Sequence, residues 1–243
     1  MIKRLSLVLL ILSCLTSGVL AAASFNGSSS YVSVADNPAL DVPDNNWTVA
    51  GWVQVNSNAG TSWNSMLDWW NNVHPEMRFW IGEASHAAYA NDLLAWMADD
   101  DTDATNVGDG TNNNAFSGIT VWTHVAFRRS GATFATFKNG VQVDSLTNAN
   151  FDGITLSTNL ILGASEAGTT QFLNGNLAEW VSWHKALSNS DIAALAKGFA
   201  PNCLPDFDWY VPLVRNYVEL AQGAAVTNSG STIAAHPRLY NCN

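Results

Sequence analysis

The sequence predicts an all-β sandwich of two antiparallel sheets with one short helix after the last long strand. Three observations carry that prediction. Apolar residues recur in short alternating runs, turns rich in Gly, Asn, Asp and Ser separate them, and a single stretch has helical spacing. In chain order, Ser30-Tyr31-Val32-Ser33-Val34 alternates and stops at Asp36-Asn37-Pro38. The run from Trp47 to Val55 places Trp47, Val49, Val53 and Val55 on one face, with Gly51 between them. Met77 to Ile81 and Leu93 to Met97 are two further runs of strand length. Trp122 to Arg128 alternates again, Val125 and Phe127 facing one way and His124 and Ala126 the other. Phe134 to Val143 reads as a hairpin, because Asn139-Gly140 supplies the two positive-φ positions of a tight primed turn. Leu160 to Leu162 and Leu177 to Trp183 complete the strands. The helix follows: Ser188 caps it, Asp191 takes the capping-box position, Ile192, Leu195 and Ala196 form the apolar stripe, and Gly198 ends it.

The ends of the chain predict an exported protein. Met1-Ile2-Lys3-Arg4 is a basic start, Leu5 to Leu12 is almost purely aliphatic, and Val19-Leu20-Ala21 has the small residues a signal peptidase reads. Residues 1–21 are therefore read as a signal peptide, residues 22–200 as the sandwich and residues 201–243 as a C-terminal extension packed on the same domain. The apolar run is shorter than the roughly 20 residues that cross a bilayer. Ile11-Leu12-Ser13-Cys14 offers an alternative, lipoprotein-type cleavage. Cleavage near Ala21 removes Cys14, Lys3 and Arg4, which takes the net charge from −10 to about −12 and leaves Cys203 and Cys242. An even pair in an exported chain predicts a disulfide, with two free thiols as the alternative. An acidic chain without any Lys/Arg cluster excludes nucleic acid and anionic membrane surfaces as partners.

Three segments, in this order, resemble the laminin-G-like, concanavalin-A-like lectin/glucanase jelly-roll family. Phe25-Asn26-Gly27 with Tyr31-Val32 looks like its opening strand. Trp122-Thr123-His124-Val125-Ala126 with Asn139-Gly140 looks like its central strand and hairpin. Phe172-Leu173-Asn174-Gly175-Asn176-Leu177-Ala178-Glu179 and then Lys185-Ala186-Leu187-Ser188 look like its closing strand and capped helix. The resemblance implies curved sheets, frequent Ca²⁺, and glycan or protein binding on a loop edge or concave face. It does not itself supply a ligand. Many relatives carry an Asp before the closing-strand Glu, where this chain has Ala178, so no role is carried over to Glu179. The tail, with Trp209-Tyr210-Val211 and His236-Pro237-Arg238, is expected to return one strand to the sandwich.

Catalysis by a sugar hydrolase needs two carboxylates flanking the scissile bond. The chain has five Glu (Glu76, Glu83, Glu166, Glu179 and Glu219), and none sits in a paired-acid pattern. Neither a nucleophile elbow, a His-Glu-x-x-His helix nor a phosphate-cradling glycine loop is present. A non-catalytic role is therefore expected, with a polysaccharide hydrolase or lyase as the minority reading. The acidic run Asp99, Asp100, Asp101 and Asp103, followed by Asp109, is the metal expectation, because Ca²⁺ takes six to eight oxygen ligands. A solvated acidic loop is the alternative.

Eleven Trp residues need an explanation. Trp47, Trp52, Trp122 and Trp180 lie in alternating strands and read as packing residues. Trp63, Asp68, Trp69, Trp70, Asn71, Asn72 and His74 read as a ligand-binding edge. Adjacent tryptophans in a strand point to opposite faces, and amides beside an aromatic plate suit sugar rings. The alternative is a packing edge or oligomer contact. Together these readings predict a secreted lectin-like or adhesin-like module, Ca-dependent if the acidic run binds. Its expected partner is a glycan or a cell-surface or matrix component, with no membrane insertion after cleavage and the oligomeric state open. An envelope or particle component is the alternative.

Overall fold

The computed structural model describes residues 21–41, 43, 45–57, 63–70, 75–85, 90–98, 104–107, 121–149, 158–214 and 217–242. The predicted leader lies outside them, apart from Ala21. In chain order the strands are β1 (Ala21–Asn26), β2 (Tyr31–Val34), β3 (Asn46–Val55), β4 (Asn64–Trp70), β5 (Pro75–Ile81), β6 (Leu93–Ala98) and β7 (Ala104–Val107). There follow β8 (Thr123–Ser130), β9 (Thr133–Lys138), β10 (Val141–Thr147), β11 (Leu160–Leu162) and β12 (Asn174–Trp183). The helix α1 (Asn189–Ala196) precedes β13 (Trp209–Val211), β14 (Val226–Ser229) and β15 (Thr232–Ala235).

These strands make the predicted two antiparallel sheets. The first runs β10-β9-β8-β3-β12-β1-β15, with β13 also paired to β12; the second runs β14-β2-β11-β4-β5-β6-β7. The inner faces meet in one core. Trp47, Val49, Val53 and Val55 point into it together, as their alternation requires. Phe79 of the second sheet stacks on Phe127 of the first at 3.8 Å, and Trp47 packs tilted against Phe79 and edge-on against Phe134. Gly51 leaves room for the Trp180 ring, since a Cβ there would come within 2.5 Å of it. At the β9–β10 hairpin Asn139 and Gly140 both take positive φ, as a primed turn demands.

The two sheets differ in what covers their outer faces. Ala50, Ala126, Phe137, Val181 and Trp183 form a second apolar layer on the outside of the first sheet, capped by Ile192 and Leu195 of α1 and by Tyr210. β12 is consequently buried along almost its whole length, which an alternating pattern does not show. The helix that seals this layer starts at Ser188, whose side chain accepts the Asp191 N–H while Asp191 returns a bond to the Ser188 N–H. Ser188→Ala should lower the thermal midpoint in step with a loss of about 1 kcal/mol. An unchanged midpoint would show that packing alone holds the helix.

The C-terminal extension contributes three strands where one was expected: β13 to β12, β14 to β2 and β15 to β1. Side chains fasten it. The Glu219 carboxylate accepts the N–H groups of Tyr210, Ala221, Gln222 and Ala224. Glu179, at positive φ beside a bulge in β12, accepts the Tyr210 hydroxyl and lies 2.7 Å from His236 Nε2. Burial, and then the Glu179 carboxylate, push the Tyr210 phenol far above its usual range, so it stays a donor. Cys203 and Cys242 form the expected disulfide.

Candidate glycan-binding face

The outer face of the second sheet carries no helix among the described residues. Its side chains follow from strand alternation. In β5, Phe79 and Ile81 enter the core, so Arg78 and Trp80 point outward; in β6, Ala95 and Met97 enter, so Trp96 points outward. The antiparallel register lines these up. Thr227, Ser33, Ile161, Asp68, Arg78 and Trp96 are successive Cα partners across six strands. A second row pairs Ser65, Trp80 and Leu94.

Two structures stand on this face. The first is a tryptophan platform. Trp80 is half-buried, its ring centroid 5.0 Å from that of half-buried Trp63, and half-buried Trp96 lies one row away. The Arg78 guanidinium sits 5.3 Å from the Trp80 ring, a cation–π contact that holds the indole from beneath. The second is a groove of about 450 Å³ at the β14-β2-β11 end, lined by Tyr31, Ser33, Asn159, Ile161, Thr227 and Ser229 among others. A tight loop through Ser165 to Thr170 stands between them, with its Ala167 in the groove wall and its Glu166 side chain 3.8 Å from Arg78.

Beneath that loop lies a buried ion pair. Asp68 Oδ1 is 2.6 Å from Arg78 Nε, and Asp68 Oδ2 accepts the Glu166 N–H at 2.8 Å. Burial raises the Asp68 carboxyl from its ordinary 3.8 to about 6, against the lowering effects of Arg78 and the Glu166 amide. Both oxygens are committed, so Asp68 holds the face together and presents no free carboxylate to a ligand.

The structure thus redistributes the predicted ligand edge. Trp63 belongs to the platform. Trp69 does not: it is fully buried in the core, edge-on to Trp209, because its strand position faces the first sheet. Asp68 is corrected as well, its carboxylate being covered by the Glu166 turn and neutralised by Arg78. β4 ends at Trp70, and Asn71, Asn72 and His74 lie outside the described residues. So do Asp99, Asp100, Asp101, Asp103 and Asp109; among the described residues no group of three metal-binding side chains occurs. His124 is buried and neutral, its pKa lowered to about 3 by desolvation. Its ring packs edge-on against Trp52, while its backbone makes the bonds to Asn139. Sequence reading missed Trp80, Trp96 and Arg78 as face residues. Their signal was present in the Arg78-x-Trp80 alternation, opposed to core Phe79 and Ile81.

A two-sheet antiparallel jelly roll, sealed on one side by a capped helix, places the chain in the concanavalin-A-like class. The chain belongs to the concanavalin A-like lectin/glucanases superfamily, whose Laminin_G_3 model matches residues 26–193. No curated protein matches it in sequence. Among solved structures it is similar to a candidate carbohydrate-binding protein from Bacteroides ovatus, with 16% identity and a TM-score of 0.65 over 89% of this chain. The chain spans 60% of that protein's length. It is also similar to the heptameric SAP-like pentraxin of Limulus polyphemus, with 12% identity and a TM-score of 0.54 over 87% of this chain and 95% of that one. A third is the CBM40 of the Ruminococcus gnavus IT-sialidase bound to α2,3-sialyllactose, at 15% identity and a TM-score of 0.52, covering 74% of this chain and all of that one. At these identities the likeness concerns the fold. Among the described residues no helix is long and apolar enough to cross a membrane.

Proposed function

We propose that this chain is a secreted carbohydrate-binding module that holds a glycan on the outer face of its second sheet. The observation that carries the reading is the platform of Trp63, Trp80 and Trp96, partly exposed on a sheet face that carries no helix among the described residues. Sugar rings present C–H faces to such indoles and hydroxyls to the polar groups around them. The names of the Bacteroides ovatus protein and of the sialidase module support the same reading. Binding is favoured over cleavage because Asp68 is tied to Arg78 and to a backbone amide. The face then lacks the free, opposed carboxylates that glycoside hydrolysis uses, among the described residues.

The test is an array of neutral and acidic oligosaccharides, probed with the wild type and with Trp80→Ala. Loss of the Trp80 indole should weaken the best-bound glycan at least tenfold, about 1.4 kcal/mol. Binding that survives Trp80→Ala unchanged would remove the platform from the reading. Repeating the array with a chelator tests whether binding depends on Ca²⁺, and doing so with the Asp99→Asn, Asp101→Asn variant tests whether the acidic run holds it.

A further inference from the structure

We infer that the groove completed by the C-terminal extension is a second sugar subsite, one that takes an uncharged, hydroxyl-rich ring of an oligomeric glycan. The inference rests on the glycan-binding reading above and adds a site and a ligand class to it. The groove is a joint product of the family domain and the tail. Tyr31, Ser33 and Asn159 lie within residues 26–193, whereas Thr227 and Ser229 come from β14, beyond them.

Its chemistry is specific. Hydroxyls from Ser33, Thr158, Thr227 and Ser229, a phenol from Tyr31 and an amide from Asn159 surround an apolar floor at Ile161. Among the described residues that line it, none is charged, in a chain of net charge −10. A charged ligand would meet no counter-ion there, while a neutral polyol would meet donors and acceptors on several sides. Part of the lining is held in place before any ligand arrives. Asn159 donates to the Ser33 hydroxyl and accepts the Asp36 N–H, and the Tyr31 ring rests on Gly168, where a Cβ would come within 2.6 Å.

The spacing calls for an oligomer. From Ser33 to Trp96 the cross-strand row runs Ser33, Ile161, Asp68, Arg78, Trp96. With neighbouring strands about 4.8 Å apart, the near edges at Ile161 and Trp80 lie two strands, roughly 10 Å, apart and the far edges at Ser33 and Trp96 four strands, roughly 19 Å, so one ligand touching both must be longer than a single sugar ring. A chain lying across the strands would pass over the Ser165 to Thr170 loop and touch both.

The experiment uses the full chain and ladders of neutral arabino- and gluco-oligosaccharides from disaccharide to hexasaccharide, with sialylated and uronate oligosaccharides beside them. Affinity is measured by calorimetry for the wild type, Trp80→Ala and Thr227→Trp, the last placing a bulky ring in the groove from an exposed edge-strand position. Side-chain amide shifts of Asn159 on titration give a second readout that needs no variant. The expected result is affinity rising with chain length for neutral glycans and a tenfold or greater loss for the longer ones in Thr227→Trp. The short ones should be unaffected, and the Asn159 signal should move only with the longer chains. If the wild type binds but Thr227→Trp matches it at every length and Asn159 does not respond, the groove is no subsite and the platform reading stands alone. If acidic glycans are bound in preference and shift Asn159, the uncharged class is wrong. If Thr227→Trp abolishes binding and Trp80→Ala does not, the groove stands and the platform reading falls. If the wild type binds no probe, both fall.

Discussion

Replacing Arg78 with methionine is expected to lower the unfolding free energy by about 3–5 kcal/mol at neutral pH, because it strands a carboxylate that has been taken out of water. Asp68 is fully buried, and its Oδ1 depends on Arg78 Nε at 2.6 Å. The loss should also depend on pH in a defined sense. In the folded wild type Asp68 titrates near 6, above its ordinary 3.8. The folded chain thus holds this proton more tightly than the unfolded one. Its contribution to stability therefore grows as pH falls from about 6 to about 4, and above 6 it is a constant penalty on the order of 3 kcal/mol. Without Arg78 the carboxyl should take its proton at still higher pH. The difference between wild type and Arg78→Met should therefore be largest above the variant's own, higher pKa, shrink as pH falls toward 6, and level off below it, where Asp68 is neutral in both. Urea unfolding of the two proteins across that range checks it. A difference that is flat with pH would mean that the variant suffers from lost packing under Trp80, with the ion pair playing no part.

Removing the Cys203–Cys242 bond by serine substitution at both positions should cost about 3–4 kcal/mol, since the bridge closes a segment of 39 residues in the unfolded chain. That segment contains β13, β14 and β15, so the whole return of the tail to both sheets lies inside the loop. The native anchors do not depend on the bridge: Glu219 still gathers four backbone N–H groups, and Glu179 still meets Tyr210 and His236. The variant should accordingly fold to the same structure with a lower denaturant midpoint. A change under about 1 kcal/mol would show that strand pairing and these anchors already restrict the unfolded tail.

How far the site could be read from the sequence depended on burial geometry. Alternation placed Trp47, Val49, Val53 and Val55 on the core face, and Asn139-Gly140 located the hairpin, because both signals act between near neighbours. Alternation puts Trp69 and Trp70 on opposite faces, yet it does not say which face of a sheet is the core. That depends on the opposite sheet, and Trp209 of the tail meets Trp69 from the inside. Asp68 looked like a ligand group because its covering turn at Glu166 lies far along the chain.

The jelly roll, its hairpin, its capped helix and the pairing of Cys203 with Cys242 were legible in the sequence itself, since each follows from local periodicity, turn chemistry or the cysteine count expected of an exported chain. Tertiary structure decided what lies on the outside. Helix α1 and the β13 segment cover the first sheet, the turn at Glu166 covers Asp68 on the second, and β14 returns from the tail to wall a groove beside Tyr31. The physical reason is range. A strand's two faces are equivalent until something distant in the chain buries one of them, and only the folded molecule brings that partner into place.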